Sequence, residues 1–162
     1  MKMKASQIAA AAASLIAGFA ALTAVSPAYA GSCPAGKMGT DLRQDPKLAA
    51  SGVTDTVISS IDVAKEPAAI DGRSFRLRRL VIQPGGVVPW HSHGERPAIL
   101  YIEKGEMTEY SSTCSTPIVH HAGESTPELH STSHWWKNTG KTPAVILSSD
   151  LLKVGDSAHM MM

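Results

Sequence analysis

No surplus of either charge marks this chain: 15 lysines and arginines stand against 14 aspartates and glutamates over 162 residues. Nucleic acid and anionic membrane surfaces select a basic field, so neither is expected as a partner. No G-x-S-x-G, P-loop or dinucleotide fingerprint occurs, which removes the motif-borne hydrolase, phosphate-loop and nicotinamide chemistries. Past residue 52 there is no long segment of 3.6-residue periodicity, so a helical architecture is not expected. Cysteine is scarce, with two in the whole chain, Cys33 and Cys114. Neither lies at metal-ligand spacing from a histidine, and in an oxidising compartment two cysteines form one disulfide. Two free thiols, or one of them on a metal, are the alternatives. A bridge would close a loop of about eighty residues, worth a few kcal/mol, and would leave no thiol nucleophile.

The one extended apolar run lies at the start. Lys2 and Lys4 precede an Ala-rich stretch from about Ile8 to Val25, and Ala28-Tyr29-Ala30 has the small-x-small pattern cut by signal peptidase. Residues 1–30 are therefore expected to be a signal peptide cleaved after Ala30, placing the protein in the periplasm or outside the cell, with no stable membrane insertion after cleavage. The remainder carries 13 basic against 14 acidic side chains, one domain's worth of chain. Residues 31–52, rich in Gly, Pro, Ala and polar residues, read as a loosely structured N-terminal arm, or as a short helix at Asp45 to Ala50. Residues 156–162 read as a flexible tail.

From residue 53 to 155 the pattern is one of short β-branched and apolar runs: "TVISSIDV", "SFRLRRLVI", "GVVPW", "AILYIEKG", "MTEYSS", "PIVHH", "HWWKN" and "AVILSSDLL". Segments such as "QPGG", "TCSTP", "HAGEST" and "NTGKTP" separate them. Many short strands at this spacing predict an all-β domain, a small antiparallel barrel or sandwich. The "QPGG" segment is read as a turn between two strands. "RLRR", Arg76 to Arg79, alternates with Phe75, Leu77 and Val81 and is read as a solvated strand face.

Histidine carries the chemistry. In "PWHSHGERPAIL", His91 and His93 are two residues apart, so a strand presents both on one face, the geometry a metal needs. His134 opens another strand-like run. The stretch from Gly85 to Gly105 resembles the first motif of the cupin superfamily: glycine, five residues, His-x-His, four residues, an acidic position, six residues, glycine. Gly123, His134 and Asn138 match the second motif, with Leu129 and Ser131 where proline and glycine would stand. The chain is similar in particular to small, exported, single-domain bacterial cupins. That resemblance implies a β-barrel or jelly roll, a divalent metal held in its mouth by His91, His93 and His134, a small-molecule ligand or substrate, and dimers formed through barrel edges.

The departure from the motif falls on its glutamate position, which is Ala98. Ala98, Leu100 and Ile102 are expected to point inward, with Ile99, Tyr101 and Glu103 outward. Glu95 and His130 are the candidates for a fourth ligand. Without the carboxylate the centre would be one unit more positive, favouring an anionic ligand or lowering the pKa of bound water. His120 and His121 would face opposite ways, so at most one points inward. Trp90, Trp135 and Trp136 flank the histidines and would brace the strands, one of them walling a pocket with Ala98 and Leu100. Three imidazoles suit Fe, Zn, Mn, Ni or Cu. Resemblance to cupins that use three histidines, such as thiol and diketone dioxygenases, implies a metal-dependent enzyme of oxygenase type; the alternative is a module that binds a metal or small ligand without chemistry.

Overall fold

A computed structural model of the chain describes residues 31–39 and 48–155. The expected signal peptide and tail, and the first half of the alternative short helix at Asp45 to Ala50, lie outside the described residues; residues 48–50 are not helical. Eight strands make up the domain: β1 (Ser51–Asp62), β2 (Arg73–Ser92), β3 (Ala98–Lys104), β4 (Glu106–Ser111), β5 (Ile118–His121), β6 (Ser125–Glu128), β7 (Ser133–Lys137) and β8 (Ala144–Lys153). Every pairing is antiparallel, in the order β5-β4-β7-β2-β8-β3-β6, with β1 added along β2. The sheet curls into a nearly closed barrel, as an all-β reading requires.

The "QPGG" segment is not a turn between two strands. β2 runs 20 residues without a break. It pairs with β8 over Arg73 to Ile82, then with β7 from Val87 onward, where the register shifts. Gly85 sits at φ +77°, open to glycine and strained for other residues. The bend there carries one long strand around the barrel corner, a role of glycines and bulges in curved sheets.

The solvated face expected of "RLRR" is inverted. Arg76 and Arg78 are buried, whereas Phe75 and Leu77 are exposed. Arg76 donates to both oxygens of Asp150, at 2.8 and 2.5 Å, and Arg78 pairs with Asp55 and Asp150. The alternation holds but the faces are exchanged, because carboxylates on β1 and β8 stabilise the guanidinium groups inside. Burial depresses the Arg78 pKa, and the Asp150 charge opposes that shift.

Register places the interior in levels. Along β8, Asp150 lies opposite Arg76, Ser148 opposite Arg78, Ile146 opposite Leu80 and Ala144 opposite Ile82. The interior is thus polar toward one end and apolar toward the other. The apolar end is a cluster of Leu80, Ile82, Val88, Leu100, Ile102, Met107, Trp136, Ala144 and Ile146. Each of its larger side chains contributes roughly 1.5–3 kcal/mol of burial. As expected, Ala98, Leu100 and Ile102 face in, while Ile99, Tyr101 and Glu103 face out.

Cys33 and Cys114 form the expected disulfide, with 5.6 Å between their Cα atoms. Beside it, Met38 pairs with Cys114 in an isolated β-bridge. The segment from Gly31 to Gly39 is thereby held against the barrel wall.

Candidate metal centre

β2 and β7 bring the three histidines together, with His91 directly opposite His134 in the ladder. His91 Nε2 lies 3.0 Å from His93 Nε2 and 3.1 Å from His134 Nε2. His93 and His134 are fully buried and His91 half-buried. One ligand atom from each lies within 4.8 Å of the others, the spacing a single ion requires.

The far nitrogen of each ring is tied down. His91 Nδ1 donates to the Pro89 carbonyl at 2.8 Å, and His93 Nδ1 to the Arg96 carbonyl at 2.9 Å. His134 Nδ1 donates to Glu109 Oε1 at 2.6 Å. A carbonyl can only accept, so the protons of His91 and His93 belong on Nδ1, which leaves the Nε2 lone pairs facing inward. Lone pairs this close repel unless a metal ion, or in the metal-free protein a proton on His134, sits among them. The donor set therefore fits a metal, and the anchoring partners are those that orient ligating histidines.

Glu109, on β4, carries no motif spacing that would mark it in the sequence. Its second oxygen accepts from His120 Nε2 at 3.0 Å, so one buried carboxylate holds two histidines. Burial raises the Glu109 pKa, but hydrogen bonds from His120 and His134 outweigh it and keep the group below its ordinary value. His120 points inward and His121 outward, as strand alternation requires. A Cβ at Gly31 would lie 2.1 Å from His120 Nδ1, so only glycine fits where the N-terminal segment meets this ring.

A second unforeseen acid faces the Nε2 side of the rings. Glu128 Oε2 is 2.9 Å from His93 Nε2, and Oε1 is 3.2 Å from His134 Nε2. The residue is 2% exposed. Burial disfavours its charge, but the neighbouring His134 and then His93 hold its carboxyl far below the usual carboxylate range. For His134 burial opposes protonation, yet the Glu128 charge and the Glu109 hydrogen bond push its pKa up to about 9. His91 goes the other way, well below its ordinary value, through burial and then the charge on His134.

Glu128 belongs to β6, a segment whose sequence resembles connecting chain. Pro127 interrupts its pattern, and a strand of four residues carries little periodicity. The signal that would have found it is register, since Ala98 pairs with Glu128 across β3 and β6.

The other candidate residues lie elsewhere. Glu95 is an outer residue whose carboxylate meets Lys153 Nζ at 3.2 Å, and His130 is exposed in the turn after β6. Neither is brought to the cluster. Leu100 and Trp136 are core residues, and Trp136 Nε1 points at His134 Nε2 from 3.4 Å. Ala98 is buried and Trp90 half-buried. Trp135 faces away from the histidines and stacks on Tyr110 at 4.0 Å between ring centroids. Asn138 donates to the carbonyls of Ile82 and Thr142, both at 2.9 Å, and so pins the loop after β7.

The family model of the cupin domain matches residues 78–150. No curated protein sequence matches the chain. Among solved structures, the chain is similar to recombinant oxalate oxidase in complex with glycolate, at 27% identity and a TM-score of 0.47, over 61% of this chain and 50% of that one. It therefore spans about half the length of that protein. It is also similar to KdgF from Halomonas sp., at 14% identity and a TM-score of 0.48, over 61% of this chain and 78% of that one. The Schizosaccharomyces pombe Cnp3 cupin domain aligns at 13% identity and a TM-score of 0.50, over 69% of this chain and 80% of that one. The matched domain, the barrel and the two histidine strands agree, and the chain belongs to the cupin superfamily.

Proposed function

We propose that His91, His93 and His134 hold a divalent metal ion with which the barrel binds and transforms a small molecule by oxygenase-type chemistry. The observation that carries this reading is the convergence of three imidazoles whose far nitrogens are anchored. A bound ion would supply Lewis acidity and open coordination positions in this interior. The chain's own residues do the rest. Pro89, Arg96 and Glu109 fix the three rings before any ligand arrives, and Glu109 raises the basicity of His134. Trp136, a core residue, stands edge-on to His134 with 5.5 Å between ring centroids and walls the apolar side of the site. Neutral imidazoles accept Fe, Zn, Mn, Ni or Cu alike. The disulfide favours an oxidising compartment, in keeping with export through a cleaved N-terminal segment.

Elemental analysis of protein purified from the periplasm tests the metal. About one ion per chain is expected, with loss of that ion in His91→Ala and His134→Ala. A metal content indifferent to both substitutions would sink the reading. Oxygen uptake by the loaded protein with thiols, flavonoids and diketones then separates an oxygenase from a module that only binds.

A further inference from the structure

We propose that Glu128 is the fourth ligand of this centre, delivered from β6 across the strand pair to the place vacated at Ala98. The inference rests on the three-histidine reading above and deepens it. Residues directly opposite in an antiparallel pair carry their side chains on the same face, with Cβ atoms roughly 4.5–5.5 Å apart. Ala98 and Glu128 are such a pair. A methyl group at one position leaves room for a carboxylate from the other, and both side chains face the interior.

The environment of the carboxylate points to a cation. Both oxygens are buried, and neither receives a well-directed hydrogen bond among the described residues. Their nearest neighbours are the Nε2 atoms of His93 and His134, at 2.9 and 3.2 Å. Those two rings already spend their Nδ1 protons on Arg96 and Glu109. In the metal-free chain a protonated His134 turns its Nε2–H toward Glu128; once the rings are neutral, the carboxylate oxygens face nitrogen lone pairs, an arrangement a shared cation stabilises. The nearby guanidinium groups are engaged elsewhere: Arg76 and Arg78 pair with Asp150, and Arg96 Nη1 lies 3.8 Å from the same carboxylate.

The assignment changes the charge of the centre. Three imidazoles leave a divalent ion at +2, whereas three imidazoles and a carboxylate leave it at +1. The anion preference expected from the missing motif glutamate is reduced accordingly. It also places two ligands, Glu128 and His134, on either side of the turn closed by the Thr132 N–H donating to the Leu129 carbonyl at 2.9 Å.

The test uses Co²⁺ as probe, titrated into the metal-free full chain while its visible absorption is followed. Glu128→Gln keeps the shape and removes the charge. It is expected to weaken Co²⁺ binding by about 10²-fold or more and to alter the absorption band, since even an outer-shell partner is worth about 10–100-fold. The transposed variant Ala98→Glu/Glu128→Ala is expected to recover most of the affinity that Glu128→Ala alone loses. Wild-type affinity and an unchanged band in Glu128→Gln would overturn the assignment. If Glu128→Gln does not fold, the transposed pair decides, and equal affinity in Glu128→Ala and wild type would overturn the assignment. A wild-type chain that takes up no Co²⁺ defeats the three-histidine reading itself. Binding abolished by His134→Ala but untouched by Glu128→Gln defeats only the role of Glu128.

Discussion

Asp150 shows how a single residue can reverse the reading of a whole stretch. Buried on β8, it accepts from Arg76 and Arg78 and lies near Arg96. Removing one partner of a buried ion pair strands the other charge, at roughly 3–5 kcal/mol. Asp150→Ala is therefore expected to lower unfolding free energy by roughly that amount in urea titration. A change below about 1 kcal/mol would show that the arginines find water or other partners. At this scale the histidines were legible because alternation puts His91 and His93 on one face. The inward arginines were not, because the same alternation says nothing about which face is inside. Their partners lie 74 and 72 residues away at Asp150.

Among the elements, β2 and the N-terminal segment do most to shape the site. One uninterrupted strand carries both the Arg76–Arg78 pairings and the His91–His93 pair, so the bend at Gly85 fixes their relative placement. The disulfide holds residues 31–39 beside the strands that bear Glu109 and His120. With a sequence separation of 81 between its cysteines, opening it is expected to release chain entropy in the unfolded state. The double variant Cys33→Ser/Cys114→Ser should lose about 2–4 kcal/mol of stability, read from thermal or urea unfolding. Equal stability of the two proteins would mean that the bridge constrains little. Most strands were legible from their β-branched runs. β6 was not, since Pro127 and its shortness hide it, and with it went Glu128.

For the whole molecule the buried histidines and acids set a pH dependence of the metal-free protein. The folded pKa of His134, about 9, stands above its ordinary 6.5. Its contribution is fully present below 6.5 and is lost as pH rises through about 9. His91 is depressed from 6.5, so protonating it in the fold costs stability as pH falls below that value. Glu128 and Glu109 are both depressed from 4.5, and their contribution is lost at still lower pH. Stability of the metal-free chain is thus expected to be greatest near pH 6.5 and to fall on either side, measured as Tm across a buffer series. A Tm that rises steadily from pH 6.5 to 9 would contradict the placement of these groups.

Sequence alone determined the all-β class, the inward face of β3, the pairing of the two cysteines and the three histidines of the cupin motifs. The class, the inward face and the cysteine pairing follow from local rules, namely turn spacing, strand alternation and the count of thiols, whereas His134 joined His91 and His93 only through the resemblance to the cupin motifs. Only the tertiary structure decided that Arg76 and Arg78 turn inward and that Glu109 anchors His134. It also decided that Glu128, and neither Glu95 nor His130, stands beside the histidines. Each of these depends on register, which sets two distant residues on one face and is determined only when the strands pair.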